Sequence, residues 1–147
     1  MTSTNHFWQT HLTLPSKPRG FHLITTNIHN ALMAMPNIEI GLIHIFLQHT
    51  SASLTISENT CSEVAQDLEA HFNKAVLEDP ELYQHTLEGA DDMPAHIKNA
   101  ILGGNLSIPL SNNQLQLGRW QGIFLCEHRN HAPSRQLILT VMGSSPD

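Results

Sequence analysis

The stretch IEIGLIHIFLQH (38–49) does most to limit what this chain can become. In its middle, IGLIHIFL (40–47), apolar residues fall on both alternating faces. The run is far too short to span a bilayer and contains His44. It reads as a central strand buried within the fold. Around it the pattern alternates between strand and helix. FWQTHLTL (7–14) and FHLIT (21–25) read as strands separated by the turn PSKPRG (15–20). Thr26 caps a helix that places Ile28, Ala31, Leu32 and Met35 on one face before Pro36 stops it.

SASLTIS (51–57) is another short strand. Thr60 and Glu63 then have the spacing of a capping box ahead of a helix bearing Val64, Leu68, Phe72, Ala75 and Val76, with Pro80 ending it. A third helix lies within EGADDMPAHIKNAILGG (88–104): Ile97, Ile101 and Leu102 keep helical spacing, and Gly103 or Gly104 ends it. The remainder reads as strands at 105–110, 114–118, 120–127 and 135–142, with SNN (111–113) as a hairpin turn. The order predicts a single α+β domain over 1–147, with a mixed, mainly antiparallel sheet and about three helices.

At 147 residues the chain suits one core, and its net charge of −6 with scattered cations argues against a nucleic-acid face. Cys61 and Cys126 form neither a disulfide framework nor a cysteine zinc motif, and the first residues lack a signal-peptide pattern, so a reducing cytoplasm and no membrane contact are expected. The eleven histidines are dispersed, so most are ordinary; His6, His11, His22, His29 and His71 fit regular patterns and receive no role.

Three polar clusters remain. In QHTSASLTISEN (48–59), His49, Thr50 and Ser51 interrupt an apolar strand, and Glu58 and Asn59 precede a helix that Thr60 already caps. In YQHTLEGADDMPAHIK (83–98), either Asp91 or Asp92 can cap the helix, which leaves the other surplus, and His96 sits where a helix dipole disfavours imidazolium. A loop folding His85 beside His96, with His49 as third ligand, would make a divalent-metal site with an open position. In LGRWQGIFLCEHRNHAPSRQ (117–136), Arg129 or Arg135 offers a guanidinium fork for phosphate or carboxylate, against a solvated hairpin as the bland alternative. Cys126 and His128 share a strand face by geometry alone, so a thiol nucleophile is disfavoured.

HTSASLTISEN, EGADDMPAHIKNAILGG and LGRWQGIFLCEHR, in this order and spacing, resemble the signature blocks of the YjbQ-like family, also called the secondary thiamine-phosphate synthase family. The resemblance runs from about residue 16 to 143. It implies a compact sandwich-like α+β fold assembled as a homotrimer, with a polar pocket fed by the three blocks. Carried over by motif, it points to His49, His85 and His96 as metal ligands and to Glu58 with Asn59 as the acidic and amide pair. It favours Arg135 as the family's arginine. Arg119 stands where threonine is usual, and Cys126 falls where non-thiol residues occur.

The activity so implied joins a pyrimidine diphosphate to a thiazole phosphate with release of pyrophosphate. It would use a divalent cation, zinc, magnesium or manganese. Lys98 and Arg135 would contact the anion, Asp92 and Glu58 would act as acid or orient metal-bound water, and Thr50, Ser51 and Asn59 would line the substrate. A histidine-rich ligand set suits zinc better than magnesium, and no Gly-rich phosphate loop is present, so a side activity is one reading of the name. A metal-assisted hydrolase and a non-catalytic trimer binding a small phosphorylated or heterocyclic metabolite are the alternatives.

Overall fold

Alternation governs both ends of the chain, and the two ends pair with each other. In the computed structural model, which describes residues 2–146, β1 (Ser3–Leu14) lies antiparallel to β8 (Arg135–Pro146) along its full length, from Ser3 opposite Pro146 to Leu14 opposite Arg135. β8 then pairs with β3 (Ile40–Leu47), β3 with β5 (Asn105–Ser111), and β5 with the two-residue β6 (Gln114–Leu115). A second sheet has the order β2 (Gly20–Leu23), β7 (Gln121–Glu127), β4 (Ala52–Glu58). Every pairing is antiparallel, so the sheets are not mixed. Asn112 and Asn113, with φ of 50° and 64°, make the two-residue hairpin between β5 and β6.

Ile43, Ile45, Leu137, Leu139 and Val141 of the first sheet share one core with Leu54, Ile123 and Leu125 of the second. The helices are α1 (Thr25–Ala31), α2 (Ser62–Ala75) and α3 (Asp92–Leu102). α1 adds Ile28, and the following short 3-10 turn adds Leu32, to the same core. α2 packs Ala65, Leu68 and Phe72 on Phe21, Phe124 and Cys126 of the smaller sheet.

The expected helix caps do not form. α1 starts two residues early, so Ile24 stands at the cap and Thr26 lies inside the helix, while Thr25 Oγ1 accepts the Ile123 amide at 2.9 Å. Cys61, not Thr60, occupies the cap of α2, and the Thr60 hydroxyl donates to Glu58 Oε1 at 3.2 Å. α2 also stops at Ala75, before Pro80, which opens a separate 3-10 turn.

β3 is central in its sheet but buried on one face only. Ile40, Leu42 and Phe46 are 68%, 45% and 45% exposed, beside exposed Phe7 and Met142 on β1 and β8. Four registered rows across β1, β8, β3 and β5, from the row of Asn5 to the row of His11, contain no Asp, Glu, Lys or Arg on this face. Alternation shows that a second face is apolar, but not whether the same chain covers it. Within the sheet, Gly41 opposes Gly143, and a Cβ on either would sit 2.5 Å from a carbonyl oxygen of the facing strand. The close approach of β3 and β8 there requires both glycines. No helix among the described residues is long and apolar enough to cross a membrane.

Candidate metal centre

The segment before α3 is irregular but fastened. Asp79 accepts the Glu81 amide at 3.0 Å, and the Tyr83 hydroxyl donates to the Leu77 carbonyl at 2.8 Å. Gly89, at φ +118°, makes the turn in which its carbonyl accepts the Asp92 amide at 3.2 Å. That turn delivers Asp91 and Asp92 together to the start of α3. Neither caps the helix by its side chain, contrary to expectation. Both carboxylates face the loop after β7 instead, because Arg129 meets them there.

Arg129 Nε donates to Asp91 Oδ2 at 3.0 Å, one terminal nitrogen donates to Asp92 Oδ1 at 2.5 Å, and the other donates to the Glu88 carbonyl at 3.0 Å. The Asn130 amide adds a bond to Asp91 Oδ2 at 2.9 Å. Burial opposes ionisation of Asp91, but the Asn130 amide and the Arg129 bond and charge hold its carboxyl below the usual range. Asp92 is deeper, at 1% exposed. Burial again works against its charge. The His85 hydrogen bond, the His96 and Arg129 charges and the His96 hydrogen bond outweigh it and keep the carboxyl low.

With Oδ1 committed to Arg129, Asp92 Oδ2 is left facing two imidazoles. His85 Nε2 lies 2.7 Å and His96 Nε2 3.1 Å from it, and the ring centroids are 5.4 Å apart. His96 stands one turn after Asp92 on the same face of α3. Among the described residues, His85, Asp92 and His96 are the group whose ligand atoms all lie within 4.8 Å of one another. Asp92 is buried while the His85 side chain is half exposed, so the centre opens to solvent on the histidine side.

The His96 ring has a defined tautomer. Its Nδ1 lies 2.8 Å from the Thr50 carbonyl, which can only accept, so Nδ1 bears the hydrogen. Nε2 then faces an ionised carboxylate that also only accepts. Either a second proton or a cation must satisfy that contact.

The other predicted residues are placed differently. His49 does not join the cluster: its Nε2 accepts the Gln136 amide at 2.8 Å, and Nδ1 makes a longer 3.3 Å contact to Arg135. Burial and the nearby Arg135 charge, opposed by Glu127, push its pKa down. Arg135 is 2% exposed and forks onto Glu127, with Nε and a terminal nitrogen 2.7 and 2.6 Å from the two carboxylate oxygens; a further bond reaches the Ser51 carbonyl at 3.2 Å. Thr50 and Ser51 thus take part through their carbonyls.

Lys98, two residues beyond His96 on α3, points to α2, where Nζ donates to Asn73 Oδ1 at 3.0 Å. It is 1% exposed, and burial with the Arg19 charge lowers its pKa against Glu69, Glu78 and Asp91. Glu58 ends β4 opposite Gln121 and the Asn59 amide just beyond it donates to the Trp120 carbonyl at 2.7 Å, whereas Ala52 opposes Glu127 near the cluster. Seven extended residues put these ends roughly 20 Å apart. Cys126 is fully buried and its thiol pKa is pushed far up, mainly by burial, which suits a packing role.

Two groups that bind the site together were not assigned from sequence. Arg129 was an unfavoured alternative to Arg135, and Glu127 drew no role, although its Oε2 also accepts the Arg129 amide at 3.2 Å. Acidic residues beside arginines in the last loop were the only signal, and it cannot reveal the partners.

The sequence matches the family model for YjbQ-like UPF0047 proteins over residues 10–144. It is 51% identical to the UPF0047 protein YjbQ of Salmonella typhimurium over 137 residues, 93% of this chain and 99% of that one. It is 40% identical to the UPF0047 protein sll1880 of Synechocystis, covering 90% of this chain and 89% of that one. Among solved structures, a YjbQ/UPF0047-family protein of Clostridium acetobutylicum superposes with a TM-score of 0.78 at 27% identity, covering 90% of this chain and 98% of that one. A YbjQ-like protein of unknown function from Sulfolobus solfataricus shares the fold, with a TM-score of 0.79 at 19% identity, covering 97% and 99%. The family match spans nearly the whole chain, and the protein belongs to the YjbQ-like UPF0047 family.

Proposed function

We propose that this protein is a metal-dependent enzyme whose divalent cation is held by His85, Asp92 and His96. The convergence of two imidazole Nε2 atoms on one buried carboxylate oxygen is the observation that supports this most. Two nitrogens and one oxygen, with a solvent-facing side, suit zinc or manganese better than the oxygen shell that magnesium prefers. A cation there would supply Lewis-acid polarisation and an activated water. Thr50 fixes the His96 tautomer, and Arg129 fixes the rotamer of Asp92, as outer groups commonly do around metal ligands. Asp92 replaces His49 as the third ligand in this reading.

Metal-assisted hydrolysis is the chemistry this geometry supports best. Thiamine-phosphate synthesis, implied by the sequence resemblance, is the second reading; there the same cation would steady the departing pyrophosphate. The uncharged face of the five-stranded sheet, with Phe7, Ile40, Leu42, Phe46 and Met142 exposed on it, supports a subunit contact, and the sequence resemblance implies that the assembly is a homotrimer. Sedimentation equilibrium is expected to give a trimer that Leu42→Asp/Phe46→Asp converts to monomer. An unchanged trimer would place the contact elsewhere. A cytoplasmic setting fits two free thiols, Cys61 exposed and Cys126 buried.

Calorimetric titration of chelator-treated protein with zinc or manganese tests the metal reading. One ion per chain is expected, with stabilisation of about 2.7 kcal/mol at a hundredfold excess over Kd. His96→Ala should abolish uptake while leaving the metal-free melting temperature within a few degrees of the parent. Equal uptake by parent and variant would reject the ligand set.

A further inference from the structure

We propose that the cleft between α2 and the start of β2 binds a free α-amino acid with an apolar side chain, at a site separate from the metal centre. The proposal does not depend on the metal reading.

Two spacings in the sequence build the cleft. Glu69 and Asn73 stand one turn apart on the same face of α2, and Arg19 and Phe21 share a face where the chain enters β2. Arg19 Nε donates to Glu69 Oε1 at 3.2 Å, and one terminal nitrogen donates to Asn73 Oδ1 at 2.6 Å. The other terminal nitrogen pairs with Glu78 and reaches Asn130 Oδ1 at 3.4 Å. Lys98 Nζ, coming from α3, also donates to Asn73 Oδ1. Arg19 and Lys98 are thus set against Glu69 and Glu78, and the charges balance. Asn130 marks the boundary with the metal centre: its amide holds Asp91, while its side chain accepts from Arg19.

A cleft of about 520 Å³ is lined by Arg19, Glu69, Asn73 and Glu78. An adjoining one of about 420 Å³ shares the first three and adds Phe21, Ala65 and Ala70. Phe21 is backed by Phe72, with the two rings stacked at a centroid distance of 6.1 Å. An apolar floor therefore lies beside side chains of both charge signs.

Neither sign is saturated. Glu69 Oε2 is shielded from solvent and has no hydrogen-bond partner. Both bonds to Glu69 Oε1 are long, at 3.2 Å. A glutamate carboxylate also turns easily about its last torsion, so Oε2 can be brought to the cleft. There it needs a donor, which an ammonium supplies. Arg19 makes four bonds with its five N–H groups, leaving one on the nitrogen that holds Asn73. That hydrogen suits a carboxylate. A simple anion or a simple cation would meet one of these needs and unbalance the charges. An α-amino acid carries both groups on one carbon, and its side chain can lie on Phe21, Ala65 and Ala70.

Titration of ¹⁵N-labelled protein, followed at the Gly20, Ala65 and Ala70 amides, tests this with three probes. L-Phenylalanine should shift these amides and bind at least about tenfold more tightly than N-acetyl-L-phenylalanine or L-phenylalaninamide, each of which lacks one charge. The same two analogues carry the chemistry of peptide ends, so the comparison separates a free amino acid from a chain terminus. Glu69→Gln should reduce phenylalanine to the level of N-acetyl-L-phenylalanine. Ala70→Trp, at an exposed helix position, should fill the apolar half and abolish the shifts without unfolding the protein. Equal binding of the three probes, undiminished binding by Ala70→Trp, or no shift of these amides up to the solubility limit of phenylalanine would each overturn the proposal.

Discussion

Glu127→Gln is expected to lower unfolding free energy by about 3–5 kcal/mol, the loss typical when one member of a buried ion pair is removed. The carboxylate is 0% exposed and accepts two bonds from Arg135 and one from the Arg129 amide. Glutamine removes the charge and turns one acceptor into a donor facing a guanidinium that is 2% exposed. The damage extends beyond the pair, because the Arg129 turn that holds Asp91 and Asp92 hangs from the same carboxylate. Urea unfolding at neutral pH reads the change as a shifted midpoint with an unaltered slope. A double replacement, Glu127→Leu/Arg135→Met, should recover much of the loss, since an apolar pair leaves no stranded charge. Exposed Glu58→Gln should stay within about 0.5 kcal/mol of the parent. A small effect of Glu127→Gln would mean that water reaches the pair.

The second large effect is a loss of stability in mild acid traceable to His128. This ring is 1% exposed; its Nε2 lies 2.9 Å from Ser53 Oγ, and its Nδ1 is buried without a partner. Burial, then the charges of Lys98, Arg19 and Arg135, push its pKa down to about 3 from 6.5. The unfolded chain therefore takes up a proton first as pH falls. The contribution is complete above about pH 6.5 and is lost progressively toward pH 3. At pH 5 the deficit from this group is about 2 kcal/mol, from 1.36 kcal/mol per unit. His49, whose pKa is also lowered, adds in the same direction. His128→Gln preserves a partner for Ser53 and removes the proton-binding group. Its unfolding free energy should therefore fall less than the parent's between pH 7 and 5. Parallel pH profiles for the two proteins would show that His128 is not the linked group.

Much of the fold was legible in the sequence: α3 from its spacing and glycine stop, β3 as a central strand, and the Asn112–Asn113 turn from its residues. Caps were less legible: the expected Thr26 falls inside α1, whose start is tied by Thr25 to the distant Ile123 amide, and the Thr60 hydroxyl turns back to Glu58. In the site, the resemblance brought His85, Asp92 and His96 into one neighbourhood. The expectations for Lys98 and Glu58 ran against simple geometry. Residues 96 and 98 lie about 200° apart around a helix, so Lys98 and His96 cannot face the same pocket. Residues 51 and 58 bracket an extended strand. The capture of His49 by the Gln136 amide, and of Asp91 and Asp92 by Arg129, joins positions distant in sequence and had no local signature.

The most direct test of the central claim is an anomalous difference map from crystals grown with zinc, recorded on both sides of its absorption edge. One peak per chain is expected, about 2.0–2.2 Å from His85 Nε2, His96 Nε2 and Asp92 Oδ2. A peak at His49 instead, or no peak between these three atoms at full zinc loading, would contradict it.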